Sequence, residues 1–407
     1  MNSPSATSHP PSAPRILIRG VNWLGDAVMT IPALMRLRET FPDSHVALLT
    51  PEKLKDLWIS HPAVNETIPF VPGESIFAVG RKLRRWGEAT DEPVLARQSI
   101  ATTAREDHRR AGQAAHPTRF DLALVLPNSP RSAMEMWLAG IPRRIGYARP
   151  WRNFFLTQAI PPRAEAMRMR KLSVAEIKNL ISQTQDPRPK TPSTAHQIHE
   201  YLNLAAALDA KPEPLPPQLF VSPEEVENVK KKFGLDKITQ PIFGLNPGAE
   251  YGPAKRWPAE RFIAVAKEIQ KRTNCIWLIF GGKNDTDIAN QIEYAIRNPQ
   301  FAIRNLSGQT SLRELMSLVK LSRVLLTNDS GPMHVAAALG TPVVVPFGST
   351  SPELTGPGLP GDSRHHLLKS DAPCSPCFRR ECPIDFRCLN GISVERVVEA
   401  ALAIHPR

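Results

Sequence analysis

Residues 15–40 have the sequence RILIRGVNWLGDAVMTIPALMRLRET, a short apolar run followed by a loop with two glycines and then by a helical pattern. The run Ile16–Arg19 is typical of a strand that is buried on both faces. The pattern over Ala27–Thr40 predicts an amphipathic helix. Asp26 falls where the loop meets this helix. A strand, a tight loop and a helix in this order indicate the start of a parallel α/β sheet.

The same alternation recurs along the chain. Apolar runs predict six further strands, at Val46–Thr50, Asp121–Leu126, Ile242–Asn246, Ile276–Phe280, Val324–Thr327 and Val343–Phe347. Helical patterns at 259–272 and 311–321 lie between some of them. The alternation occurs on both sides of a Pro-rich stretch at 211–217. It therefore predicts two Rossmann-like parallel-sheet domains that face each other across a cleft, with ligands bound at the carboxyl ends of the strands.

The domain limits follow from this pattern. We expect an N-terminal domain at 15–210, a linker at 211–221 and a C-terminal domain at 222–407, because consecutive prolines favour an extended linker. Residues 1–14 are rich in Ser and Pro and contain no apolar signal segment, so we expect a disordered tail. Residues at about 73–118 fit neither the strand nor the helix pattern, and we expect a partly disordered surface insertion there.

Charge and hydropathy narrow the classes of partner. The net charge is +12, and more of the excess lies in the first half of the chain. This indicates a polyanionic partner such as nucleic acid, an anionic membrane surface or a phosphorylated glycolipid, with a merely solvated basic surface as the alternative. The usual nucleic-acid-binding motifs are missing. No stretch approaches the roughly 20 apolar residues of a membrane span, so we expect a cytoplasmic protein.

Four of the five cysteines lie close together near the C-terminus, within residues 374–388. They are Cys374, Cys377, Cys382 and Cys388. The C-x2-C-x4-C-x5-C spacing could provide four thiolates to a tetrahedral zinc ion. Reduced structural thiols are the alternative, since the spacing is tighter than that of paired zinc-ribbon knuckles.

Two later segments repeat the combination of strand, polar loop and helix. Residues 243–258, FGLNPGAEYGPAKRWP, place Lys255 in a Gly/Pro-rich loop, where backbone amides and a cation suit a diphosphate; a solvated turn is the alternative. Residues 325–334, LLTNDSGPMH, place small polar residues before a helix, and the free N–H groups at Ser330–Met333 favour an anion. Asp26 and Asp329 could instead be helix caps, and His334 a packed residue.

Together these segments resemble the ADP-heptose:lipopolysaccharide heptosyltransferases of glycosyltransferase family 9, and in particular the branch that adds the second heptose. The similarity extends from about Arg15 to the C-terminus. Its most specific parts are residues 22–34 (NWLGDAVMTIPAL) and 247–258 (PGAEYGPAKRWP), supported by 328–334 and the Cys-rich segment. The resemblance implies a GT-B fold of two Rossmann-like domains.

The resemblance also implies roles for individual residues. The aspartate at the position of Asp26 is the proposed general base, and Lys255 is expected to contact the phosphates of the donor. Asp285 is the nearest match to the acidic residue that holds the ribose, although a glutamate is common there. The implied donor-binding set comprises Asn246, Gly248, Lys255, Asp285, Asp329, Ser330, Gly331, Pro332, Met333 and His334.

The implied reaction is an inverting transfer of L-glycero-D-manno-heptose from ADP-heptose to the first heptose of the lipopolysaccharide inner core, carried by heptosyl-Kdo-lipid A. We expect no obligatory cofactor, although Mg²⁺ could assist, and a peripheral position on the anionic inner face of the inner membrane. The predicted insertion at about 73–118 is longer than expected, so acceptor contacts there are not transferred. A relative that adds the first or third heptose is the main alternative; a nucleic-acid-binding protein is a remote one.

Overall fold

The computed structural model describes residues 13–86, 120–183, 191–297 and 303–404. Its chain divides into two compact units. The first comprises the described residues up to Val21 together with Arg38–Glu52 and Val64–Pro162. The second comprises Asn22–Leu37, Lys53–Ala63 and the chain from Arg163 onwards. Each unit contains one six-stranded sheet in which all pairings are parallel.

The first sheet has the strand order β3-β2-β1-β4-β5-β6. Its strands are β1 (Arg15–Arg19), β2 (His45–Pro51), β3 (Glu66–Phe70), β4 (Leu122–Val125), β5 (Arg143–Tyr147) and β6 (Gln158–Ile160). Helix α1 (Leu24–Thr40) follows β1, and the helices α2 (Ile76–Trp86) and α3 (Pro130–Leu138) belong to the first unit. The first and fourth strands are neighbours, which places the point where the strand order reverses between β1 and β4.

The second sheet has the order β12-β11-β10-β7-β8-β9, so its first and fourth strands are again neighbours. Its strands are β7 (Ile242–Asn246), β8 (Ile276–Ile279), β9 (Ile303–Asn305), β10 (Leu325–Thr327), β11 (Val343–Pro346) and β12 (His366–Leu368). Residues 24–37 of α1 also belong to this unit. Its other helices in the described residues are α4 (Val174–Ser182), α5 (Ile198–Ala206), α6 (Pro223–Lys232), α7 (Ala259–Thr273), α8 (Thr286–Ile296), α9 (Leu312–Leu321), α10 (Gly331–Ala338), α11 (Pro352–Thr355), α12 (Arg387–Asn390) and α13 (Val394–Ile404). No helix in the described part of the chain is long and apolar enough to cross a bilayer.

All seven strands predicted from apolar runs are confirmed to within one or two residues. The helix predicted at Ala27–Thr40 begins three residues earlier, at Leu24. Five strands were not predicted, namely β3, β5, β6, β9 and β12. They flank the predicted strands on the outer sides of the two sheets.

The division between the units differs from the predicted linker at 211–221, because the chain passes into the second unit at residue 163. Backbone hydrogen bonds tie residues 163–210 to this unit. Leu172 N–H donates to Cys377 O at 3.0 Å and Gln197 N–H donates to Leu354 O at 2.9 Å. The Pro-rich stretch is therefore a connection inside the second unit rather than the boundary between the two.

The predicted insertion also begins later than residue 73. Residues 76–86 form α2, and its Val79 and Leu83 are buried in a core that they share with Leu17 and Ile68. The basic residues of α2 occupy its outward face. Because they dominate the composition of the segment, the apolar stripe of the helix was not predicted from the sequence. Residues 87–118 of the predicted insertion lie outside the described residues, as does the predicted N-terminal tail apart from residues 13 and 14.

A buried ion pair fixes α3 to the carboxyl end of β1. The Arg19 Nε donates to Glu135 Oε2 at 2.8 Å, and both side chains are almost completely buried. Arg131 Nε donates to the other carboxylate oxygen at 2.9 Å. The Arg19 guanidinium also lies 4.4 Å from the centre of the Phe70 ring. Removing Glu135 would take the paired carboxylate away from the buried guanidinium of Arg19, a change that is costly in a desolvated environment.

We therefore expect Glu135→Ala to lower the free energy of unfolding by about 3–5 kcal/mol, because the buried Arg19 would lose the carboxylate with which it is paired. Chemical denaturation measures this change. Glu165→Ala is the control, since Glu165 pairs with Arg163 on the surface, where an ion pair contributes about 0–1 kcal/mol. Equal losses in the two variants would contradict the assigned role of the buried pair.

Candidate active site

The point where β7 and β10 lie side by side forms the base of a cavity in the second unit. Asn246 ends β7, and its side-chain Nδ2 donates to Thr327 Oγ1 at 3.0 Å and to Ser330 Oγ at 3.1 Å. These bonds tie the loop after β7 to the loop after β10. The carboxyl ends of the strands at such a reversal point are where ligands of parallel sheets bind.

Helix α10 begins at Gly331 directly above this junction, and Ser330 is its N-cap. Ser330 makes no side-chain capping bond to the helix because its hydroxyl is engaged by Asn246 and Thr327. Pro332 lies in the first turn. The helix N-terminus thus keeps its positive dipole end without a side-chain cap, a feature that favours an anion.

The loop after β7 is held by the amide of Asn328. Its Nδ2 donates to Pro247 O at 2.6 Å, and its Oδ1 accepts from the backbone N–H of Trp257 at 2.9 Å. A short 3₁₀ helix at Pro253–Lys255 ends with the lysine. Both ends of the loop are therefore fixed to the residues that follow β10, and Lys255 projects from a braced segment.

Lys255 forms an ion pair with Asp329 inside the cavity. The distance from Lys255 Nζ to Asp329 Oδ2 is 2.6 Å, and the Asp329 side chain is almost fully buried. Thr350 Oγ1 donates a short hydrogen bond to the same oxygen. The ammonium also lies 4.9 Å from the centre of the Tyr251 ring. Asp329 is not the N-cap of α10, so its carboxylate serves to hold the lysine rather than to cap the helix.

Asp26 lies in the first turn of α1 and not at its N-cap, because the helix begins at Leu24. The capping role considered for Asp26 is therefore wrong. Burial raises the pKa of Asp26 to about 6, against the opposing effects of the Lys255 charge and a hydrogen bond from Gln197; Asp329 adds a smaller rise. A carboxylate with a pKa near 6 is suited to accept a proton at neutral pH.

His334 occupies the first turns of α10 and is neutral. Burial lowers its pKa to about 4, although the charge of Asp329 acts in the opposite direction. A Cβ atom at Gly25 would lie 2.7 Å from His334 Cδ2, and one at Gly331 would lie 2.9 Å from Leu24 Cβ. The N-termini of α1 and α10 thus approach each other through glycine on each side. This approach is what brings Asp26 near Lys255.

Asp285 lies on the other side of the loop after β7. Its Oδ2 accepts from the Gly282 N–H at 3.0 Å, and its Oδ1 is 3.8 Å from Arg256. A Cβ atom at Gly248 would lie 2.3–2.5 Å from the carboxyl group, so only glycine fits there. Leu312 and Leu315 also line the cavity. A carboxylate beside an apolar wall can bind a ribose and an adjoining base.

The cavity has a volume of about 1000 Å³, within the roughly 300–1,000 Å³ range of small-molecule sites. Asp26 and nine of the ten predicted donor-binding residues line it. Met333 is the exception. Its side chain is fully buried in the core, and its N–H donates to Ser330 O at 3.2 Å.

Several lining residues were missed by the sequence analysis. They include Trp23, Gln197, Tyr251, Arg256, Thr350 and Arg380. Thr350 follows a strand end, as the predicted loops do, and this signal could have identified it. Gln197 stands at the start of α5 with no distinguishing neighbours in sequence, and only the fold brings it to Asp26.

One Asp-x-Asp sequence, Asp285-Thr286-Asp287, occurs in the chain and bears on the expectation of a metal-independent reaction. Asp285 lines the cavity and is bonded to Gly282, whereas Asp287 is exposed on α8 and does not line it. Among the described residues, no three His, Cys, Asp or Glu side chains are grouped so that they could hold a metal ion. The two aspartates therefore do not form a shared metal site.

The same finding weighs against the zinc alternative for Cys374, Cys377, Cys382 and Cys388, all of which lie within the described residues. The four are free thiols. Burial, together with the smaller effect of the three other cysteines, raises the pKa of Cys388 to about 12. Cys374 and Cys377 pack with Ile177 of α4 in a small apolar cluster. Cys374 and Cys377 thus connect α4 to the C-terminal segment.

Comparisons with known proteins agree with this geometry. The sequence profile of glycosyltransferase family 9 (heptosyltransferase) matches residues 108–386. The chain is 31% identical to lipopolysaccharide heptosyltransferase 2 of Escherichia coli K12 over 84% of its own length and 85% of the relative. It is 30% identical to lipooligosaccharide heptosyltransferase 2 of Haemophilus ducreyi, with 84% and 86% covered.

The structure resembles that of Escherichia coli ADP-heptose lipopolysaccharide heptosyltransferase II, with a TM-score of 0.71, 27% identity, and coverage of 96% of this chain and 98% of that one. The expected GT-B-like fold, with its two parallel-sheet domains, is thereby confirmed. The chain belongs to glycosyltransferase family 9, the heptosyltransferases.

Proposed function

We propose that this glycosyltransferase moves L-glycero-D-manno-heptose from ADP-heptose to the first heptose of the lipopolysaccharide inner core, on heptosyl-Kdo-lipid A. The observation that carries the proposal is the convergence of Asp26 and Lys255 on one cavity. A carboxylate able to accept a proton thus lies near a cation and an uncapped helix N-terminus. The relatives named above support the choice of donor and acceptor.

The donor fits the cavity in parts. Asp285 would accept hydrogen bonds from the ribose hydroxyls, with the base against Leu312 and Leu315. The diphosphate would lie against the N-terminus of α10, where Ser330, Gly331 and Pro332 line the cavity. Gly248 leaves the space that Asp285 needs. Each ligand group therefore meets a surface of matching polarity.

Lys255 would hold the diphosphate while remaining fixed by Asp329. An ammonium has three N–H donors, and the ion pair with Asp329 uses one of them. The remaining two can reach phosphate oxygens without breaking the pair. Because the lysine is braced, little reorganisation accompanies the growth of negative charge on the leaving ADP, which is the condition for effective electrostatic stabilisation.

The reaction would be a single displacement with inversion at the anomeric carbon. A hydroxyl of the acceptor heptose attacks this carbon, its proton passes to the Asp26 carboxylate, and the bond to the ADP phosphate oxygen breaks. The transition state has oxocarbenium character, as in glycoside hydrolysis. Lys255 and the α10 amides would stabilise the departing ADP. We propose that no metal is required, that Mg²⁺ could assist, and that the protein works at the cytoplasmic face of the inner membrane.

Purified acceptors carrying zero, one or two heptoses test the acceptor assignment. We expect transfer from ADP-heptose to the acceptor with one heptose, with a product mass higher by one heptosyl residue. Preference for the heptose-free acceptor would instead assign the chain to the enzymes that add the first heptose. Transfer to the acceptor with two would assign it to those that add the third.

The role of Asp26 predicts a defined pH profile. The carboxylate must be ionised to accept a proton, so log(kcat/KM) should rise with pH up to about 6 and level off above it. Asp26→Asn should lower kcat by about 10²–10⁴-fold, the usual contribution of a general base, while ADP binding stays nearly unchanged. Steady-state kinetics and calorimetry measure these effects.

The stability of Asp26→Asn provides an independent check. The pKa of Asp26 rises from its ordinary 3.8 to about 6 on folding, so the folded chain holds a proton that the unfolded chain releases between these values. The stability of the wild-type protein therefore falls as pH rises through this interval. At pH 8 the variant should melt at the same or a higher temperature. A lower melting temperature with retained turnover would show that Asp26 has a structural role instead.

Lys255→Ala should weaken ADP binding by about tenfold or more, because charge-assisted hydrogen bonds contribute roughly 1.5–3 kcal/mol. It should also lower kcat, since the charge on the leaving group grows in the transition state. Lys230→Ala is the control, because Lys230 pairs with Glu227 on the surface of α6. Unchanged ADP affinity in Lys255→Ala, measured by calorimetry, would remove Lys255 from the donor site.

A further inference from the structure

The first unit exposes a group of aromatic side chains that the proposed reaction does not use. Trp151 is 89% exposed, Phe154 79% and Trp137 45%. Phe155 joins them, because its ring centre lies 5.8 Å from that of Trp137 and 5.3 Å from that of Phe154. We call Trp137, Trp151, Phe154 and Phe155 the aromatic patch. Folding alone would favour the burial of such residues.

The segment that carries the patch is firmly anchored. Arg152, between the two most exposed aromatic residues, is completely buried. Its guanidinium donates to Val125 O at 3.0 Å and to Asn128 Oδ1 at 3.3 Å. Trp151 has a φ of 62°, a left-handed conformation that is unfavourable for a bulky residue. The hydrogen bonds of Arg152 thus anchor the loop. The loop holds Trp151 in solvent although its backbone conformation is unfavourable.

The surroundings of the patch are basic. Residues 122–162 contain five arginines and a single acid, Glu135. That acid is buried and paired with Arg19 and Arg131, so it contributes no exposed negative charge. Arg131 and Arg143 are exposed, Arg144 and Arg149 are half-buried, and Arg152 is the buried anchor described above. An aromatic surface in this setting suits a partner that is both apolar and anionic.

Helix α2 extends the basic surface next to α3, which carries Trp137. The two helices are in close contact at Gly80, where a Cβ atom would lie 2.9 Å from Leu138 Cβ. Arg81, Arg84 and Arg85 of α2 are exposed. The positive charge therefore continues from the β5–β6 loop onto a neighbouring helix instead of ending at the patch.

We propose that the aromatic patch docks the protein on an anionic lipid bilayer, with Trp151 and Phe154 inserted at the headgroup level and the exposed arginines around the patch in contact with lipid phosphates. Tryptophan favours this depth, and each basic residue near an anionic surface contributes to binding. The exposed aromatic area is roughly 500 Å². A stable dimer needs about 800 Å² per partner, so a bilayer fits the patch better than a second copy does.

Lipid docking deepens the proposed function: a protein docked in this way would meet a lipid-anchored acceptor in two dimensions. Only this advantage rests on the proposed function. Lipid binding itself is independent of the reaction. It can therefore be measured without donor or acceptor, and the two proposals can fail separately.

The test is co-sedimentation of the full-length protein with vesicles of phosphatidylethanolamine and phosphatidylglycerol, and with vesicles of phosphatidylcholine alone. The wild-type protein should bind the anionic vesicles more tightly, and less so as salt is added. The double variant Trp151→Ser/Phe154→Ser should bind the anionic vesicles about tenfold or more weakly, since burying one aromatic side chain contributes roughly 1.5–3 kcal/mol. Tyr294→Ser is the matched control, because Tyr294 is an aromatic residue of α8 that is 88% exposed.

The double variant should keep the melting temperature, the ADP affinity and the rate of transfer to a delipidated acceptor. Only transfer to an acceptor embedded in vesicles should fall. Equal vesicle binding by the wild type and the double variant would overturn the proposal, as would equal losses in Tyr294→Ser. A change of the double variant from dimer to monomer in sedimentation equilibrium, with vesicle binding intact, would assign the patch to self-association instead.

Discussion

The ion pair between Lys255 and Asp329 governs the chemistry of the cavity. Both side chains are largely withdrawn from water, and a lone charge there would carry a large desolvation cost. The pair holds the lysine in place, and Thr350 donates a further hydrogen bond to the carboxylate. It also sets the environment of Asp26, whose pKa is lowered by the lysine and raised by Asp329. Because the effects of these two charges partly cancel, burial remains the dominant effect on the pKa of Asp26.

The cavity depends on close approach of backbone segments as much as on charge. Parallel strands deliver their carboxyl ends to one edge of the sheet, but the side chains that follow must still fit together there. Gly25, Gly248 and Gly331 are the positions at which a Cβ atom would clash with His334, Asp285 and Leu24 respectively. The glycines of the three predicted loops therefore have steric roles at the contacts between these loops.

The sequence predicted the centre of each sheet better than its edges. The central strands β1, β2 and β4, like β7, β8, β10 and β11, are covered on both faces and consist of nearly continuous apolar runs. The outer strands carry polar residues, such as the arginines of β5 and β9, and resemble loops when read alone. The Pro-rich stretch at 211–217 lies within the second unit, and its sequence could not show this, since proline marks an extended chain but does not reveal what that chain packs against.

The candidate site likewise contains residues that the sequence could predict and residues that it could not. Residues in strand–loop–helix segments could be predicted, because a strand end and a helix start leave a local pattern. Gln197 could not, since its relation to Asp26 is created by the packing of α5. Met333 shows that a residue inside a predicted motif need not face the cavity. It lies in a predicted loop–helix segment, yet the 100° rotation per helical residue turns its side chain into the core.

The charge balance around Asp26 changes when the proposed donor is bound. A diphosphate beside Lys255 would offset the cation that now lowers the pKa of Asp26, while burial and Asp329 would continue to raise it. The carboxylate would then be a stronger base with the donor in place than without it. Departure of ADP, which carries the phosphate charge away, would restore the influence of Lys255 and favour loss of the proton from Asp26. Under the proposed mechanism the same lysine thus stabilises the leaving group and helps to reset the base, because one braced cation acts on both the diphosphate and Asp26.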